Sequence, residues 1–297
     1  MNIGIVGYGI LGKAVMEGFK DKCEVFINDK EISKEAPKTK KELVLECDYI
    51  FICAPTPFNV TKNKCDVEII DSIIYEINML SLLKGKRPIV IVKSTVVPSQ
   101  VRQWVAFYKS IDIVINPEYL TERTSNEDFI NQKFMVFGGD IEQCSAVEFL
   151  YKHHSSCNKD FKTGFCSHEE ASLLKYMANS FLAMYNIFLN EYKFLYDTMN
   201  FYDPISCSKD SDENYNNLIR LFQLDERMGV FPFKYEIPGP DKDIGYGGKC
   251  LPKDIKSIIS EGESVGSKMG LLERVDEINE KIRTNRDWEE IADAISE

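Results

Sequence analysis

Histidine is scarce in this 297-residue chain: there are three, and none stands in an H-E-x-x-H frame or a Ser-His-Asp pattern. Zinc-protease chemistry and a histidine-centred triad find no support, and His153, His154 and His168 read as solvated or helix-start residues. Long apolar runs are missing, so no segment is expected to span a bilayer. No basic n-region or cleavage signal marks "MNIGIVGYGILGKAV", which reads directly as structure. The nine cysteines contain no C-x-x-C pair and no metal-type spacing, and their number is odd. That pattern implies thiols in a reducing compartment, the cytoplasm by default, and no metal site. Positive charge is also in deficit, with 36 Lys and Arg against 47 Asp and Glu, a net charge of −11 and a pI near 5.0. Such a surface has no general attraction for nucleic acid or an anionic membrane, so neither is an expected partner. A small molecule is, and any phosphate on it must be held by a local arrangement.

What is present is an alternating pattern. "NIGIVGYGILGKAVMEGF" reads as a strand, a glycine turn and an amphipathic helix, and "CEVFIND" as a second strand ending on an acid. "DYIFICAP", "RPIVIVKST", "IDIVINPEYL" and "KFMVFGG" are further short β-rich runs separated by helix-compatible segments, through about residue 140. The fold class is therefore α/β, with a Rossmann-like doubly wound parallel sheet over residues 1–166. The character changes at "SHEEASLLKYMANSFLAMYNIFLNEYKFLYDTMN", residues 167 to 200, which has no Pro or Gly and carries apolar residues at helical spacing throughout. One long helix opens a second, mainly helical domain, residues 167–297.

Gly7, Gly9 and Gly12, with Ile10 and Leu11 between the last two, follow the first strand and open a helix. This lets backbone approach a pyrophosphate at the positive end of the helix. Asp29 ends the next strand at about the 20-residue distance where a carboxylate accepts from the adenosine ribose, which favours NAD over NADP. In the long helix Lys175 and Asn179 lie four apart on one face. Two readings stand there: a solvated surface pair, or two donors to an oxygen that gains negative charge. In "YGGKCLPKD", Pro252 suits a first helical turn and sets Cys250 at or just before the helix N-terminus. The dipole, Lys249 and Lys253 favour thiolate there, Gly247 and Gly248 allow close approach, and Asp254 can orient a water or accept a proton. A nucleophilic and an inert Cys250 both remain open on these residues; Cys53, inside a strand, reads as core. Glu118, Glu122, Thr95 and Thr56 all stand just past strand ends, on the edge where doubly wound sheets bind ligands.

The sequence resembles the UDP-glucose/GDP-mannose dehydrogenase family. The likeness runs in order through "GYGILG" with Asp29, "CAPTP", "KSTVVPS", "NPEYLTERTSNEDF", "EEASLLKYMANSFLAMYNIFLNE", "DERMG", "PGPDKDIGYGGKCLPKD" and "LLERVDEINEK". The resemblance implies NAD as cofactor and a four-electron oxidation of a nucleotide sugar, UDP-glucose to UDP-glucuronate, at C6. It implies Cys250 as the nucleophile, passing through a thiohemiacetal and a thioester. Lys175 and Asn179 would stabilise the alkoxide and oxyanion, while Asp254, Glu122 and Thr95 would hold the catalytic water and assist proton transfer. Glu118 and Gly247 would lie at the substrate, and Gly7, Gly9, Ile10, Leu11, Gly12, Asp29, Thr56, Thr95, Glu122 and Lys253 at the cofactor. Arg227 would reach the substrate of a neighbouring subunit in a homodimer. Members of the family usually continue with a UDP-binding domain of about a hundred residues, so the resemblance is to a short form lacking it. Two further readings are a single-hydride β-hydroxyacid-type dehydrogenase, in which "GGKCLPKD" has no task, and a non-catalytic nucleotide-binding relative.

Overall fold

A computed structural model describes residues 1–30, 38–199, 210–225, 237–291 and 294–296. The chain divides into two compact units, residues 1–177 with 296–297, and residues 178–295.

The first unit is a layered α/β structure. Its strands are β1 (Asn2–Val6), β2 (Glu24–Asn28), β3 (Tyr49–Ile52), the short hairpin β4 (Phe58–Asn59) and β5 (Lys64–Cys65), β6 (Ile89–Val92), β7 (Asp112–Ile115), β8 (Phe134–Gly138) and β9 (Lys162–Cys166). The helices between them are α1 (Ile10–Phe19), α2 (Lys40–Glu46), α3 (Glu68–Lys84), α4 (Pro98–Phe107), α5 (Ser125–Ile130) and α6 (Ile141–His154). The main sheet has the order β2-β1-β3-β6-β7-β8-β9. Strands β2, β1, β3, β6 and β7 pair in parallel, in registers such as Ile5 with Ile27 and Phe51 with Ile91.

Near-continuous Ile and Val runs suit a sheet covered on both faces. Period-two alternation sends Ile50, Ile52, Val90, Val92, Ile113 and Ile115 into one core with residues of α2, α3 and α4. Ile3, Ile5, Phe51, Ile91 and Val114 go into the other core with residues of α1, α5 and α6. The two last strands differ from the sequence reading: β8 runs antiparallel to β7, and β9 adds a seventh strand parallel to β8. The "KTGFC" of β9 is a half-exposed edge without an apolar run, which is why no strand signal precedes it.

The long helix α7 (His168–Met199) spans almost the whole segment anticipated for it. The units divide inside it, after Met177, because its first turns belong to the sheet layer: Ala171 is part of that core and Ser172 Oγ donates to the Val96 carbonyl. His168 starts the helix with Nε2 beside the Ile113 carbonyl at 2.9 Å, and His153 and His154 end α6.

In the second unit the rest of α7 is joined by α8 (Ser211–Phe222), α9 (Leu251–Ser264) and α10 (Gly270–Ile282). Ala183 and Ile187 pack with Tyr246, Ile255 and Val275, while Leu189 packs with Tyr215, Ile219 and Ile237. The Tyr215 hydroxyl donates to the Leu189 carbonyl at 2.6 Å, satisfying a phenol that is buried between these helices. Arg227 lies outside the described residues.

One carboxylate ties α3 to α4: Asp71 Oδ1 accepts from Nε1 of the buried Trp104 at 2.7 Å and from the Tyr108 hydroxyl at 3.1 Å. Asp71→Ala leaves the indole N–H without its acceptor and is expected to cost about 1–3 kcal/mol, read as a lower urea midpoint with an unchanged slope.

Candidate active site

In the first unit β2 and β3 flank β1 on opposite sides, so the carboxyl ends of β1 and β3 form the point where strand order reverses. The three glycines of the turn after β1 are glycine for different reasons. Gly7 has φ +92°, and a Cβ there would lie 2.8 Å from the Cys53 backbone. A Cβ on Gly12 would lie 2.0 Å from the Gly7 carbonyl oxygen. Gly9 caps α1, and a Cβ on it would meet nothing within 4 Å. Packing therefore demands the first and third glycines, whereas the middle one leaves bare backbone at a helix N-terminus, the arrangement that suits a pyrophosphate. Ile10 and Leu11 form the first turn of α1 behind it.

Asp29 follows β2 directly, and its Oδ2 accepts the Tyr8 N–H at 2.5 Å, tying the acid to the glycine turn. Thr56 and Thr95 are brought together: the Thr56 hydroxyl donates to the Thr95 carbonyl at 2.6 Å, and Ser94 Oγ donates to the Ala54 carbonyl at 2.6 Å. The loops after β3 and β6 are thus tied side by side. Glu122 is exposed in a short turn, Glu122–Thr124, and among the described residues no hydrogen bond or ion pair joins it to another predicted site residue.

Lys175 and Glu118 do meet. The Lys175 ammonium lies 3.3 Å from Glu118 Oε1 and 5.3 Å above the Tyr119 ring, while Glu118 Oε2 accepts the Leu120 N–H at 2.8 Å. Lys175 is only 5% exposed, so a solvated surface lysine does not describe it. Burial alone raises the Glu118 carboxyl, but Lys175, the Leu120 N–H and Lys93 together hold it below its ordinary value of 4.5.

Lys93 is not among the site residues expected from the sequence. Fully buried at the end of β6, its ammonium donates to the Asn116 carbonyl at 3.0 Å and Oδ1 at 2.9 Å, and approaches the Tyr151 hydroxyl at 3.4 Å. Burial lowers it to about 8. The available signal was a lysine closing the otherwise apolar run "PIVIVK".

The second unit holds the other group. Cys250 caps α9 and is exposed, the only one of the described cysteines that is; Pro252 sits in the first turn, as the motif implied. Cys53, by contrast, is buried, which pushes its thiol up to about 12. Four residues past the cap, Asp254 is 1% exposed, and its carboxylate accepts from Asn179 Nδ2 and from the Lys253 ammonium, each at 2.5 Å. Its backbone N–H donates to the Cys250 carbonyl at 3.0 Å, closing the first turn. Asn179 is 5% exposed, so the helix-surface reading fails for it too.

At Gly247 the structure departs from the expectation of room for a ligand. A Cβ there would lie 2.2 Å from the Arg283 guanidinium and 2.5 Å from Asp287, so a neighbouring side chain already fills that space. Gly248 has φ +76° and open space beside it, and its N–H donates to the Asp287 carboxylate at 3.0 and 3.1 Å.

Residues 26–155 match the NAD binding domain of the UDP-glucose/GDP-mannose dehydrogenase family, and residues 169–281 match its central domain. The chain belongs to that family. Its first unit accordingly carries an NAD-binding domain. It is 28% identical to a UDP-glucose 6-dehydrogenase of Bacillus subtilis over 80% of its own length and 47% of the relative's. Against a UDP-glucose 6-dehydrogenase of Campylobacter jejuni it is 25% identical over 88% of its length and 60% of the relative's. The chain thus spans about half the length of the curated relatives it matches. A UDP-glucose dehydrogenase of Pyrobaculum islandicum shares the fold, with TM-score 0.76, 24% identity, and coverage of 94% of this chain and 68% of that one.

Two outcomes follow for this family member. Gly9→Ala is expected to leave thermal stability within about 1 kcal/mol while weakening NAD binding in calorimetry, whereas Gly12→Ala destabilises the fold itself. Because the folded Glu118 carboxyl titrates below 4.5, its contribution is complete above that value and is lost as pH falls through the lower, folded one. Glu118→Gln should therefore flatten the acid limb of stability against pH below about 4.5, measured by urea unfolding at a series of pH values.

Proposed function

We propose that this chain is an NAD-dependent nucleotide-sugar dehydrogenase that carries the C6 alcohol of UDP-glucose through four electrons to the carboxylate of UDP-glucuronate. The observation that carries the proposal is the first turn of α9: an exposed cysteine at the cap and, one turn in, a buried carboxylate held by Asn179 and Lys253. A purely structural cysteine has no need of exposure, and a carboxylate buried at this cost needs a reason to be kept. The names of the relatives support the choice of UDP-glucose.

NAD, when bound, supplies a hydride acceptor, used twice per sugar. Gly7, Gly9 and Gly12 with Ile10 and Leu11, the acid Asp29 and the paired loops bearing Thr56 and Thr95 would hold it. Lys175 and Asn179 stabilise the substrate oxygen as it gains negative charge, with Glu118 fixing the Lys175 ammonium. Once C6 has lost its first hydride, the Cys250 sulfur adds to the aldehyde carbon, and the carbonyl oxygen takes up a proton to complete the thiohemiacetal. Loss of the second hydride from C6 and of the hydroxyl proton leaves a thioester. A water held by Asp254, with Glu122 and Thr95 assisting proton transfer, cleaves the C–S bond, giving the carboxylate and returning the thiol. Lys253 pairs with Asp254 at 2.5 Å in this scheme and offsets the cost of its burial.

The assembly proposed is a homodimer. Phe188, Tyr192, Leu195 and Met199 on α7 and Leu218 and Leu221 on α8 are large apolar side chains exposed in the second unit, which a symmetric partner would cover. Among the described residues no helix is long and apolar enough to cross a membrane. The proposed location is the cytoplasm, where thiols persist.

With NAD in excess and UDP-glucose limiting, absorbance followed to completion is expected to show two NADH per sugar. Cys250→Ala and Cys250→Ser should lower kcat by roughly three orders of magnitude or more. A final ratio of one, unaffected by either substitution, would instead support a single-hydride dehydrogenase.

A further inference from the structure

The loop that presents Cys250 is held by a segment that the catalytic scheme leaves unused. Arg283, just past the end of α10, is only 6% exposed although it carries a full charge. Its Nε donates to the Asn285 carbonyl at 2.7 Å, Nη1 to the Ile244 carbonyl at 3.4 Å, and Nη2 to Asp241 and, at 3.4 Å, to Asp287. The guanidinium carbon lies 5.9 Å from the ring centre of Trp288, itself buried. One rigid fork therefore contacts both ends of the glycine loop, and Gly247 is glycine because the fork occupies the place of its side chain.

The neighbours of Arg283 complete the clamp. Asp287, paired with it, takes the Gly248 N–H in both carboxylate oxygens. Asn279 on α10 accepts the Tyr246 N–H at 2.8 Å and donates to the Tyr246 carbonyl at 3.0 Å, fixing that peptide from both sides. Asp243 accepts the N–H groups of Thr284 and Asn285 at 3.0 and 2.6 Å. Residues 241–248 and 279–288 are thus stitched together along their length, ending two residues before the cysteine. The guanidinium is buried while Asp241 and Asp287 are partly exposed, and charge-assisted hydrogen bonds from one planar fork add geometric specificity as well as energy. The loop has positive φ at Lys242, Gly245 and Gly248 and would otherwise have many conformations to choose from.

We propose that Arg283, acting through Asp287 and the Gly247–Gly248 backbone, is a positioning residue that sets the orientation of Cys250 at the start of α9. Its effect on turnover rests on the reading of Cys250 as the nucleophile; its effect on the loop and on the thiol does not.

Arg283→Lys retains the charge but not the fork, and Asp287→Ala removes the acceptor of the Gly248 N–H while leaving Arg283 its contacts to Asp241, Ile244 and Asn285. In the full chain, with folding checked by circular dichroism, both should raise hydrogen exchange in the peptide covering residues 244–250 by about tenfold or more, against unchanged exchange in β1 and β3. Alkylation of Cys250 by iodoacetamide, followed by peptide mass spectrometry, should change in rate by a similar factor. With UDP-glucose and NAD, kcat should fall about tenfold or more while KM for NAD stays within about twofold, because that site belongs to other residues. Should Arg283→Lys fail to fold, Asp287→Ala alone carries the test. Unchanged exchange and alkylation in a folded variant would overturn the proposal, as would faster exchange with undiminished Cys250-dependent turnover. If the parent chain turns over no sugar nucleotide, the functional reading fails, and the exchange and alkylation rates still decide the role of Arg283.

Discussion

The carboxylate of Asp254 is the group around which the second unit is organised. A carboxylate with 1% exposure cannot be left to itself: transfer of an isolated charge out of water costs far more than a fold can spare. Asn179 and Lys253 reconcile it with its place, one from the long helix and one from its own first turn. Because the Asp254 N–H also closes the turn begun by the Cys250 carbonyl, the position of the acid and that of the sulfur-bearing backbone are set by the same few atoms. The cost of burying that charge is what supports the catalytic role proposed for the turn.

The long helix has a second consequence. One turn before Asn179, Lys175 is buried in the first unit against Glu118, whose carboxylate is pinned in turn by the Leu120 N–H. Lys175 serves Glu118 within the first unit, and Asn179 serves Asp254 within the second. The sheet supplies the other requirement, a rigid edge. The Thr56 to Thr95 and Ser94 to Ala54 hydrogen bonds tie adjacent strand-end loops, and the buried Lys93 joins β6 to Asn116 after β7.

Much of this was legible in the sequence, for identifiable reasons. The β-rich runs, the glycine turn and the uninterrupted helix follow from periodicity and from where glycine and proline are absent, and the position of Cys250 follows from Pro252. Edge strand β9 escaped because "KTGFC" has no apolar alternation, and the antiparallel turn of β8 escaped because strand direction is set by connections rather than by composition. In the site, spacing put Lys175 and Asn179 on one face but left their burial undecided, since a polar residue on a helix is ordinarily solvated. The partners Glu118 and Asp254 lie far away in sequence, and only the fold identifies them. The requirement at Gly247 is not legible in the sequence for the same reason: the atom that forbids a side chain there belongs to Arg283, in a segment with no motif of its own.

The most direct test of the central claim is the covalent intermediate itself. Asp254→Asn should slow hydrolysis more than formation of the thioester, so rapid acid quenching with UDP-glucose and NAD, followed by peptide mass spectrometry, is predicted to find a glucuronyl adduct on the peptide containing Cys250. The adduct should be absent without NAD and absent in Cys250→Ala. Turnover in the parent chain with no adduct on Cys250 in either protein, or an adduct on another residue, would contradict the account.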